Sequence, residues 1–326
     1  MLIDKSVLVT GGTGSFGKSL VKRLLDDDQV KKVVVFSRDE LKQFEMQSVF
    51  DSKKLRYFLG DVRDLQRLKQ ATDGIDVIIH AAAIKQISAA EYNPMEAIKT
   101  NIFGAENIVN AAIENGVQRV IALSTDKAAN PANLYGATKL CSDKLMVAGN
   151  VLAGRHQTRF SVVRYGNVIG SRGSVIPFFM DQKLKGIIPI TDVRMTRFWL
   201  TIEEGVNFVL DSLSRMHGGE IFVPKIPSYK VVDVAQVVAP NIPTKITGIR
   251  PGEKLHEVMI TEDDAFYTSE FENYYAILAP FLLENKYYIT NGTKVPSGFY
   301  FSSDNNKNWH THDSFKKVLQ DSGLLK

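Results

Sequence analysis

Two pairs of residues in the segment 124–139 have the types and the spacing that acid–base chemistry needs. Tyr135 and Lys139 stand four residues apart, which on a helix places both side chains on one face. A buried phenol beside a fixed ammonium is stabilised as the phenolate, so its proton can move at neutral pH. This pair therefore predicts proton transfer to and from a hydroxyl group.

The second pair, Asp126 and Lys127, follows Thr125 at the end of an apolar run, and we count all three as candidate catalytic residues. A lysine in water has a pKa of about 10.4 and is a poor base at neutral pH. Desolvation lowers the pKa of a buried lysine, and we hypothesise that it does so for Lys127, with Asp126 as the matching acid. The alternative is that Lys127 only forms an ion pair with Asp126.

The elements that must position these residues alternate between short apolar strands and amphipathic helices through the first half of the chain. The strand-like runs are 7–10, 33–36, 56–59, 77–80, 120–123 and 160–164, and the helix-like stretches are 18–25, 64–72, 97–115 and 135–147. This alternation indicates an α/β fold with a Rossmann-type doubly wound parallel sheet. We predict a Rossmann domain over 1–167, with 201–224 returning to it, and a smaller C-terminal α/β substrate lobe over 168–326.

A glycine-rich turn follows the first predicted strand, and Gly11, Gly14 and Gly17 recur there at every third residue. Glycine permits a tight turn and close approach of a pyrophosphate, and the following helix N-terminus supplies N–H donors. Arg38, at the end of the second strand, suits the 2′-phosphate of NADP, whereas Asp39 suits the ribose of NAD, so NADP is favoured and NAD stays open. The residues predicted to bind the cofactor are Gly11, Thr13, Gly14, Ser15, Phe16, Gly17, Ser37, Arg38, Asp39, Lys42, Asp61, Val62, Ala81, Ala82, Ala83, Tyr135 and Lys139.

Composition excludes several other classes of protein. The 40 basic and 36 acidic residues are too balanced to indicate a nucleic-acid partner. The single cysteine, Cys141, rules out an intrachain disulfide framework, favours a reducing, cytoplasmic compartment, and is expected to be a small buried residue. No apolar run is long enough to span a bilayer, so we expect no membrane association. We expect no metal site from His310, His312 and Asp313, and we expect His80 to be structural.

The motifs together resemble the extended short-chain dehydrogenase/reductase superfamily over the first two hundred residues. The segments that carry a narrower resemblance are 124–128, 164–168, 172–177, 195–199 and 250–254. They are similar to the inverting UDP-N-acetylglucosamine 4,6-dehydratases of pseudaminic acid synthesis, and the resemblance covers nearly the whole chain. Ile87 and Ser88 depart from the valine–proline pair expected in such relatives.

The resemblance implies a redox-neutral reaction on UDP-N-acetylglucosamine with one bound NADP. Tyr135, supported by Lys139, would take the C4 hydroxyl proton during oxidation; Lys127 would then remove the C5 proton while Asp126 protonates the departing C6 hydroxyl. Reduction at C6 and protonation of C5 from the opposite face would give the L-configured product. The resemblance further implies substrate contacts from Lys85, Asn167, Arg172, Gly173, Ser174, Val175, Ile176, Thr191, Arg194, Arg250 and Glu253.

Three other functions remain open on the sequence: a UDP-sugar 4-epimerase, a retaining nucleotide-sugar 4,6-dehydratase, and a non-catalytic NADP-binding regulator. An epimerase has no need for the pair Asp126 and Lys127, and a regulator has no need to keep Tyr135 and Lys139. We also expect a homo-oligomer. The aromatic residues that could form either an interface or part of the core are Phe266, Tyr267, Phe271, Tyr274 and Tyr275.

Overall fold

The computed structural model describes residues 2–171 and 173–325. The strands are β1 (Ser6–Thr10), β2 (Lys32–Ser37), β3 (Leu55–Leu59), β4 (Val77–His80), β5 (Arg119–Thr125), β6 (Arg159–Tyr165), β7 (Asn167–Val168), β8 (Ile188–Ile190), β9 (Thr196–Leu200), β10 (Glu220–Pro224), β11 (Ser228–Lys230), β12 (Thr244–Ile246), β13 (Val258–Ile260), β14 (Thr268–Glu270), β15 (Tyr274–Leu278), β16 (Thr293–Lys294) and β17 (Phe301–Ser302). The helices are α1 (Ser15–Leu25), α2 (Glu40–Gln47), α3 (Leu65–Thr72), α4 (Ile87–Tyr92), α5 (Pro94–Ile98), α6 (Gly104–Glu114), α7 (Leu134–Leu152), α8 (Val175–Leu184), α9 (Ile202–Arg215), α10 (Val231–Val238), α11 (Glu262–Ala265), α12 (Lys286–Asn291) and α13 (His312–Asp321).

The main sheet has the strand order β16-β14-β15-β10-β6-β5-β4-β1-β2-β3. The seven strands from β3 to β10 in this order pair in parallel, and they are made of continuous buried apolar residues such as Val7, Leu8 and Val9. Such strands need helices on both faces, and the alternating helices of the first half supply them. The predicted Rossmann-type doubly wound sheet is confirmed.

Part of the C-terminal half also returns to this sheet. The expected return of 201–224 is seen, because α9 packs against α1 and β10 pairs in parallel with β6. The segment 268–294 returns as well: β15 pairs antiparallel with β10, and β14 and β16 continue the edge. Covering the edge of β10 satisfies its backbone hydrogen bonds, which a local sequence pattern does not show. The division into two domains at 167 stays a prediction.

A second hydrophobic core lies under the remaining C-terminal elements. Trp199 on β9 packs edge-on against Phe315 on α13 at a ring-centroid distance of 5.5 Å. The buried face of α10, including Val234 and Val238, belongs to the same core. This core holds the segments that border the site after β6, from β7 to α8.

The aromatic residues near the C-terminus divide between core and surface. Tyr274 and Tyr275 are buried in the main core and Phe271 packs against it, whereas Phe266 and Tyr267 are exposed. None of the helices within 2–171 and 173–325 combines the length and the apolar character that crossing a membrane requires.

The expectation that Cys141 is buried is wrong, because its side chain is exposed. The buried face of α7 carries residues such as Thr138, Lys139, Ser142 and Asp143, and Cys141 lies off that face. Residues at i and i+4 share a face of a helix, whereas a residue two positions away points elsewhere.

Candidate active site

A cleft of about 650 Å³ opens at the carboxyl ends of the parallel strands. It lies where β1 and β4 are neighbours and the strand order reverses, which is the usual ligand site of an open α/β sheet. All of the residues predicted to bind the cofactor line this cleft. Strand ends and first helix turns converge there, so side chains from distant parts of the chain face one volume.

The glycine-rich turn forms the floor of the cleft. Gly11 has a positive φ of 65°, and a Cβ atom on it would lie 2.9 Å from the backbone nitrogen of Ala82. A Cβ on Gly17 would lie 2.6 Å from the carbonyl oxygen of Gly11. Gly14 caps α1 without a side-chain hydrogen bond, so no capping side chain among residues 2–171 and 173–325 occupies the N–H groups of the first turn. This geometry fits a dinucleotide pyrophosphate, which such N–H groups bind.

The far end of the cleft carries the residues predicted to select the cofactor. Asp39 caps α2, where its carboxylate accepts the Lys42 backbone N–H at 3.0 Å and contacts the Lys42 ammonium. These hydrogen bonds lower the pKa of Asp39. Arg38 is more than half exposed and its guanidinium lies 3.6 Å from the Asp61 carboxylate. The Asp39 carboxylate is therefore engaged within its own helix turn, whereas Arg38 remains at the cleft surface.

His80 ends β4 beneath the glycine-rich turn. Its ring Nδ1 is 2.8 Å from the hydroxyl of Thr10, and both residues are buried. Burial lowers the pKa of His80 to about 3, with a smaller contribution from the charge of Lys139. The structure therefore agrees with a structural, neutral histidine at the end of this strand.

Tyr135 and Lys139 lie in the first turns of α7 and both line the cleft. The expectation that the phenolate is stabilised is wrong for this structure. Burial raises the pKa of Tyr135 to about 12 and outweighs the charge of Lys127 and a hydrogen bond with Thr125. Burial also lowers the pKa of Lys139, although the nearby Asp143 opposes this. Tyr135 is thus a neutral phenol at neutral pH.

Asp126 and Lys127 form a short 3₁₀ turn directly after β5. The Lys127 ammonium is 3.0 Å from the Asp126 carboxylate, and the Thr125 hydroxyl donates to the same carboxylate oxygen at 2.8 Å. Asp126 is fully buried, and burial raises its pKa. Lys127 keeps a fifth of its side chain exposed and lines the cleft.

The expectation that Lys127 has a lowered pKa is wrong, because the net shift is upward. Burial alone would lower the pKa, but the charges of Asp126 and Glu257 outweigh it and raise the pKa. The Glu257 carboxylate lies 3.2 Å from the Lys127 ammonium. Lys127 is therefore an ammonium held between two carboxylates.

Glu257 is a residue that sequence reasoning missed. It stands three residues after the motif 250–254, just before β13, and is 2 % exposed. The charges of Lys127, Arg197 and Lys254 outweigh its burial and lower its pKa. Its separation from Lys127 along the chain left no local spacing signal that could have revealed the contact.

The predicted substrate residues fall into two groups. Lys85, Asn167, Gly173 and Ser174 line the cleft, and burial lowers the pKa of Lys85. The residues predicted to contact substrate that are not among the cleft-lining residues are Val175, Ile176, Thr191, Arg194, Arg250 and Glu253. Arg172 lies outside the described residues.

Each of the residues outside the cleft has another partner. Ile176 is buried in the second core beneath α8, with Val175 packed at its edge. Thr191 hydrogen-bonds the sulfur of Met195. The two arginines form exposed ion pairs: Arg194 with Asp192 at 2.7 Å, and Arg250 with Glu253 at 3.1 Å. Local carboxylates thus engage the arginines that the motifs indicated as substrate ligands.

The departure at Ile87 borders the motif 250–254. Ile87 begins α4, and its Cγ2 lies 3.6 Å from the place where a Cβ would stand on Gly252. The Asn133 side chain donates to the Gly252 carbonyl at 2.8 Å. The 250–254 loop is therefore fastened to the start of α7, next to Tyr135. Within the described residues no group of three or more His, Cys, Asp or Glu side chains could hold a metal ion.

A doubly wound sheet with a glycine-rich dinucleotide turn and a Tyr–Lys pair at the cleft defines a nicotinamide-dependent enzyme of the short-chain dehydrogenase/reductase class. Comparison with known proteins narrows this class. Residues 7–279 match the family model of polysaccharide biosynthesis proteins. The chain belongs to this family, within the extended short-chain dehydrogenase/reductases.

Two curated relatives and one solved structure indicate where in the family the chain lies. It is 59% identical over 328 residues to the UDP-N-acetylglucosamine 4,6-dehydratase (inverting) of Campylobacter jejuni strain 81-176, and the aligned region covers 98% of each chain. It is 40% identical over 285 residues to the UDP-glucose 4-epimerase of Rickettsia canadensis, covering 85% of this chain and 84% of the relative. Pen from Bacillus thuringiensis, a solved structure, is 37% identical, covers 100% of both chains and has a TM-score of 0.92. The resemblance drawn from the motifs is confirmed.

Proposed function

We propose that this chain is an inverting UDP-N-acetylglucosamine 4,6-dehydratase, an NADP-dependent hydro-lyase. The observation that carries the proposal is the Lys127 ammonium, which lies 3.0 Å from Asp126 and borders the same cleft as Tyr135. A dehydratase needs an acid and a base in addition to the residue that serves oxidation. Asp126 and Lys127 supply this acid and this base. The inverting Campylobacter relative supports the same activity.

The cleft fits NADP through its glycine-rich turn, its α1 N-terminus and its Arg38 guanidinium. The engagement of Asp39 as the cap of α2 supports NADP over NAD, because the carboxylate that would hold the ribose hydroxyls already has partners. When bound, the nicotinamide supplies a reversible two-electron acceptor, so the sugar can be oxidised at C4 and later reduced at C6.

Tyr135 serves the oxidation at C4 in this proposal. Tyr135 accepts the C4 hydroxyl proton only as the phenolate, and the raised pKa means that the neutral phenol must first release its own proton to the solvent. The cations that can stabilise the phenolate are Lys127, which already lowers the pKa of Tyr135, and Lys139 in the next turn of α7. With C4 as a ketone, the C5 proton becomes acidic.

Lys127 and Asp126 then carry out the elimination of water. The Lys127 ammonium passes one proton to the adjacent Asp126 carboxylate, which burial makes a better acceptor. Neutral Lys127 takes the C5 proton, and protonated Asp126 gives its proton to the departing C6 hydroxyl, which leaves as water. Both groups return to their starting charge, so the elimination neither consumes nor releases a net proton at the protein.

Lys85, Asn167 and the backbone near Gly173 border the part of the cleft left for the sugar and its diphosphate. We propose UDP-N-acetylglucosamine as the substrate and UDP-2-acetamido-2,6-dideoxy-β-L-arabino-hex-4-ulose as the product, as the first step of pseudaminic acid synthesis. The single cysteine supports a cytoplasmic setting. A homo-oligomer remains part of the proposal, and light scattering of the purified protein tests it.

Incubation with UDP-N-acetylglucosamine and NADP tests the proposed reaction directly. Mass spectrometry of the sugar product should show the loss of one water, and NMR in deuterated buffer should show deuterium at C5 with the L configuration. An unchanged mass would instead identify a 4-epimerase, which the Rickettsia relative makes the second candidate. Retention at C5 would identify a retaining dehydratase, and the absence of any reaction would favour a binding protein.

Substitution of Arg38 tests the proposed cofactor preference. Arg38→Ala removes the guanidinium that would contact the 2′-phosphate, so the KM for NADP should rise at least tenfold while that for NAD changes little. Arg23→Ala, which removes an exposed arginine from the last turn of α1, is the matched control. Equal changes for the two cofactors would contradict the NADP assignment.

A further inference from the structure

Glu257 occupies a position that the proposed elimination does not use directly. It lies in the segment before β13, next to the proposed acid and base, Asp126 and Lys127. Its carboxylate is 3.2 Å from the Lys127 ammonium. Its backbone is fastened on both sides: the Ser303 hydroxyl accepts the Glu257 N–H at 2.9 Å, and the Ser303 N–H donates to the Glu257 carbonyl at 2.8 Å. Glu257 is therefore a buried anion on a fixed backbone, aimed at Lys127.

The bonding of the Glu257 side chain differs from that of a carboxylate that serves stability alone. Its Oε2 is buried and has no hydrogen-bond partner among the described residues, and the Lys254 ammonium stands 3.8 Å away. The Arg197 guanidinium is 3.7 Å from the other oxygen, Oε1. A carboxylate with unused acceptor capacity is costly to bury, so its charge must be compensated by the cations around it.

We infer that Glu257 is a positioning residue, which holds the Lys127 ammonium beside Asp126 and stabilises it as a fixed negative charge. This inference rests on the proposed dehydration, since it concerns the base and acid of that reaction. It gives a role to a residue that lies outside the motifs of the sequence. The same negative charge also makes Asp126 a better proton acceptor, so one anion acts on both partners of the internal proton transfer.

The charged groups around Lys127 determine the direction of the expected effect. Asp126 and Glu257 raise its pKa, whereas burial and Arg197 lower it. Lys254 faces Glu257 and Asp126, and Tyr135 faces Lys127 from α7. Removing the Glu257 charge should therefore lower the pKa of Lys127. Glu257→Gln keeps the shape of the side chain and removes only the charge.

Competitive labelling of lysine amines tests this independently of activity. The full-length protein is treated with acetic anhydride over a pH series, and mass spectrometry follows acetylation of Lys127, which proceeds only from the neutral amine. In Glu257→Gln the labelling curve of Lys127 should move to lower pH by about one to three units. The pH limb of kcat that depends on Lys127 should move in the same direction, with little change in KM. Curves that coincide with the wild type would overturn the inference.

Three further variants separate charge from structure. Glu257→Asp keeps the charge and should retain a labelling curve within about one unit of the wild type. Glu262→Gln removes an exposed carboxylate from the neighbouring α11 and should leave both curves in place. If Glu257→Gln does not fold, Arg197→Gln replaces it: loss of this cation should move the Lys127 curve to higher pH, and an unmoved curve would overturn the inference.

The outcome is distinguishable from a failure of the proposed function. If the wild type converts UDP-N-acetylglucosamine to the dehydrated sugar and the Glu257→Gln curves stay in place, only the role of Glu257 is wrong. If the wild type shows no dehydration but the labelling curve moves, Glu257 controls Lys127 in an enzyme with another reaction, and the proposed function is wrong.

Discussion

Two buried glutamates lie at opposite ends of the parallel strands of the main sheet, and different kinds of partner hold them. Glu257 lies at the carboxyl edge, where cations surround it and one of its oxygens has no hydrogen bond among the described residues. Glu220 begins β10 at the amino edge and is 0% exposed. Both carboxylates are buried, yet only the first contacts a residue that lines the cleft, Lys127.

Backbone N–H groups and hydroxyl groups donate hydrogen bonds to the Glu220 carboxylate. It accepts the backbone N–H groups of His217 at 2.6 Å and Gly218 at 2.9 Å. The hydroxyl of Ser161 donates to it at 2.5 Å, and the hydroxyl of Tyr288 also donates to it. These bonds fasten α12 and the turn before β10 to the sheet, and the position of Glu220 far from the cleft leaves it a structural role.

The difference shows how burial of the same side chain can serve stability or chemistry. A carboxylate with a full set of hydrogen bonds gains stability from them and has no reason to exchange protons. A carboxylate surrounded by cations changes the proton affinity of its neighbours instead. The group around Lys127 therefore contains residues whose charges depend on one another. Glu220 is instead held by backbone N–H groups and hydroxyl groups.

The largest expected effect, on the rate of dehydration, comes from removing Lys127 from its group with Asp126 and Glu257. Lys127→Ala removes the proposed base, so kcat for dehydration should fall by about 10²–10⁴-fold. Solvent deuterium should no longer enter C5, as read by NMR. Lys225→Ala, which removes a lysine from an ion pair with Glu270, is the control and should keep its rate. Normal deuterium exchange in Lys127→Ala would exclude Lys127 as the base.

A smaller effect is expected for Glu220, and it should change the stability of the fold and not the rate of the reaction. Glu220→Gln leaves buried donors facing the amide group, so the free energy of unfolding should fall by roughly 3 kcal/mol. Urea unfolding measures this change, and the folded variant should keep the wild-type kcat.

Tyr288→Phe is the matched partner for that variant, since it removes one donor and leaves the carboxylate intact. It should cost about 1–2 kcal/mol, less than Glu220→Gln. If either variant lowered kcat in fully folded protein, the separation of the two edges into structural and reacting roles would be wrong.

An effect that depends on pH concerns His80, a third buried titratable group, which lies near the cleft but does not contact Asp126, Lys127 or Glu257. Its pKa is about 3 when folded, mainly because of burial, so the unfolded chain binds a proton first as the pH falls below about 6.5. The free energy of unfolding should therefore decrease between pH 6.5 and 3, by at most about 1.4 kcal/mol per pH unit.

Urea unfolding of the wild type and of His80→Gln over this pH range measures that effect. Glutamine does not titrate and can still hydrogen-bond Thr10, so the variant should lose this part of the acid sensitivity. An identical pH dependence in both proteins would show that His80 does not contribute to it.

Much of the fold and of the cofactor site was predictable because the signals are local. Gly11 and Gly17 stand where a Cβ would collide with the backbone, and Tyr135 and Lys139 share a helix face through their spacing alone. The return of β14, β15 and β16 to the main sheet was not predicted. Strand pairing between distant segments depends on which sheet edge is free, and that is a property of the assembled fold.

The amino-acid sequence alone was enough to identify the residue types at the reaction centre and the helix and turns that carry them. It could not determine their protonation, and both expectations about it, for Tyr135 and for Lys127, were wrong. A pKa depends on burial and on every charge nearby, including that of Glu257 from a distant segment. Only the tertiary structure brings those charges together, so it decides which of the predicted acids and bases hold a proton at rest.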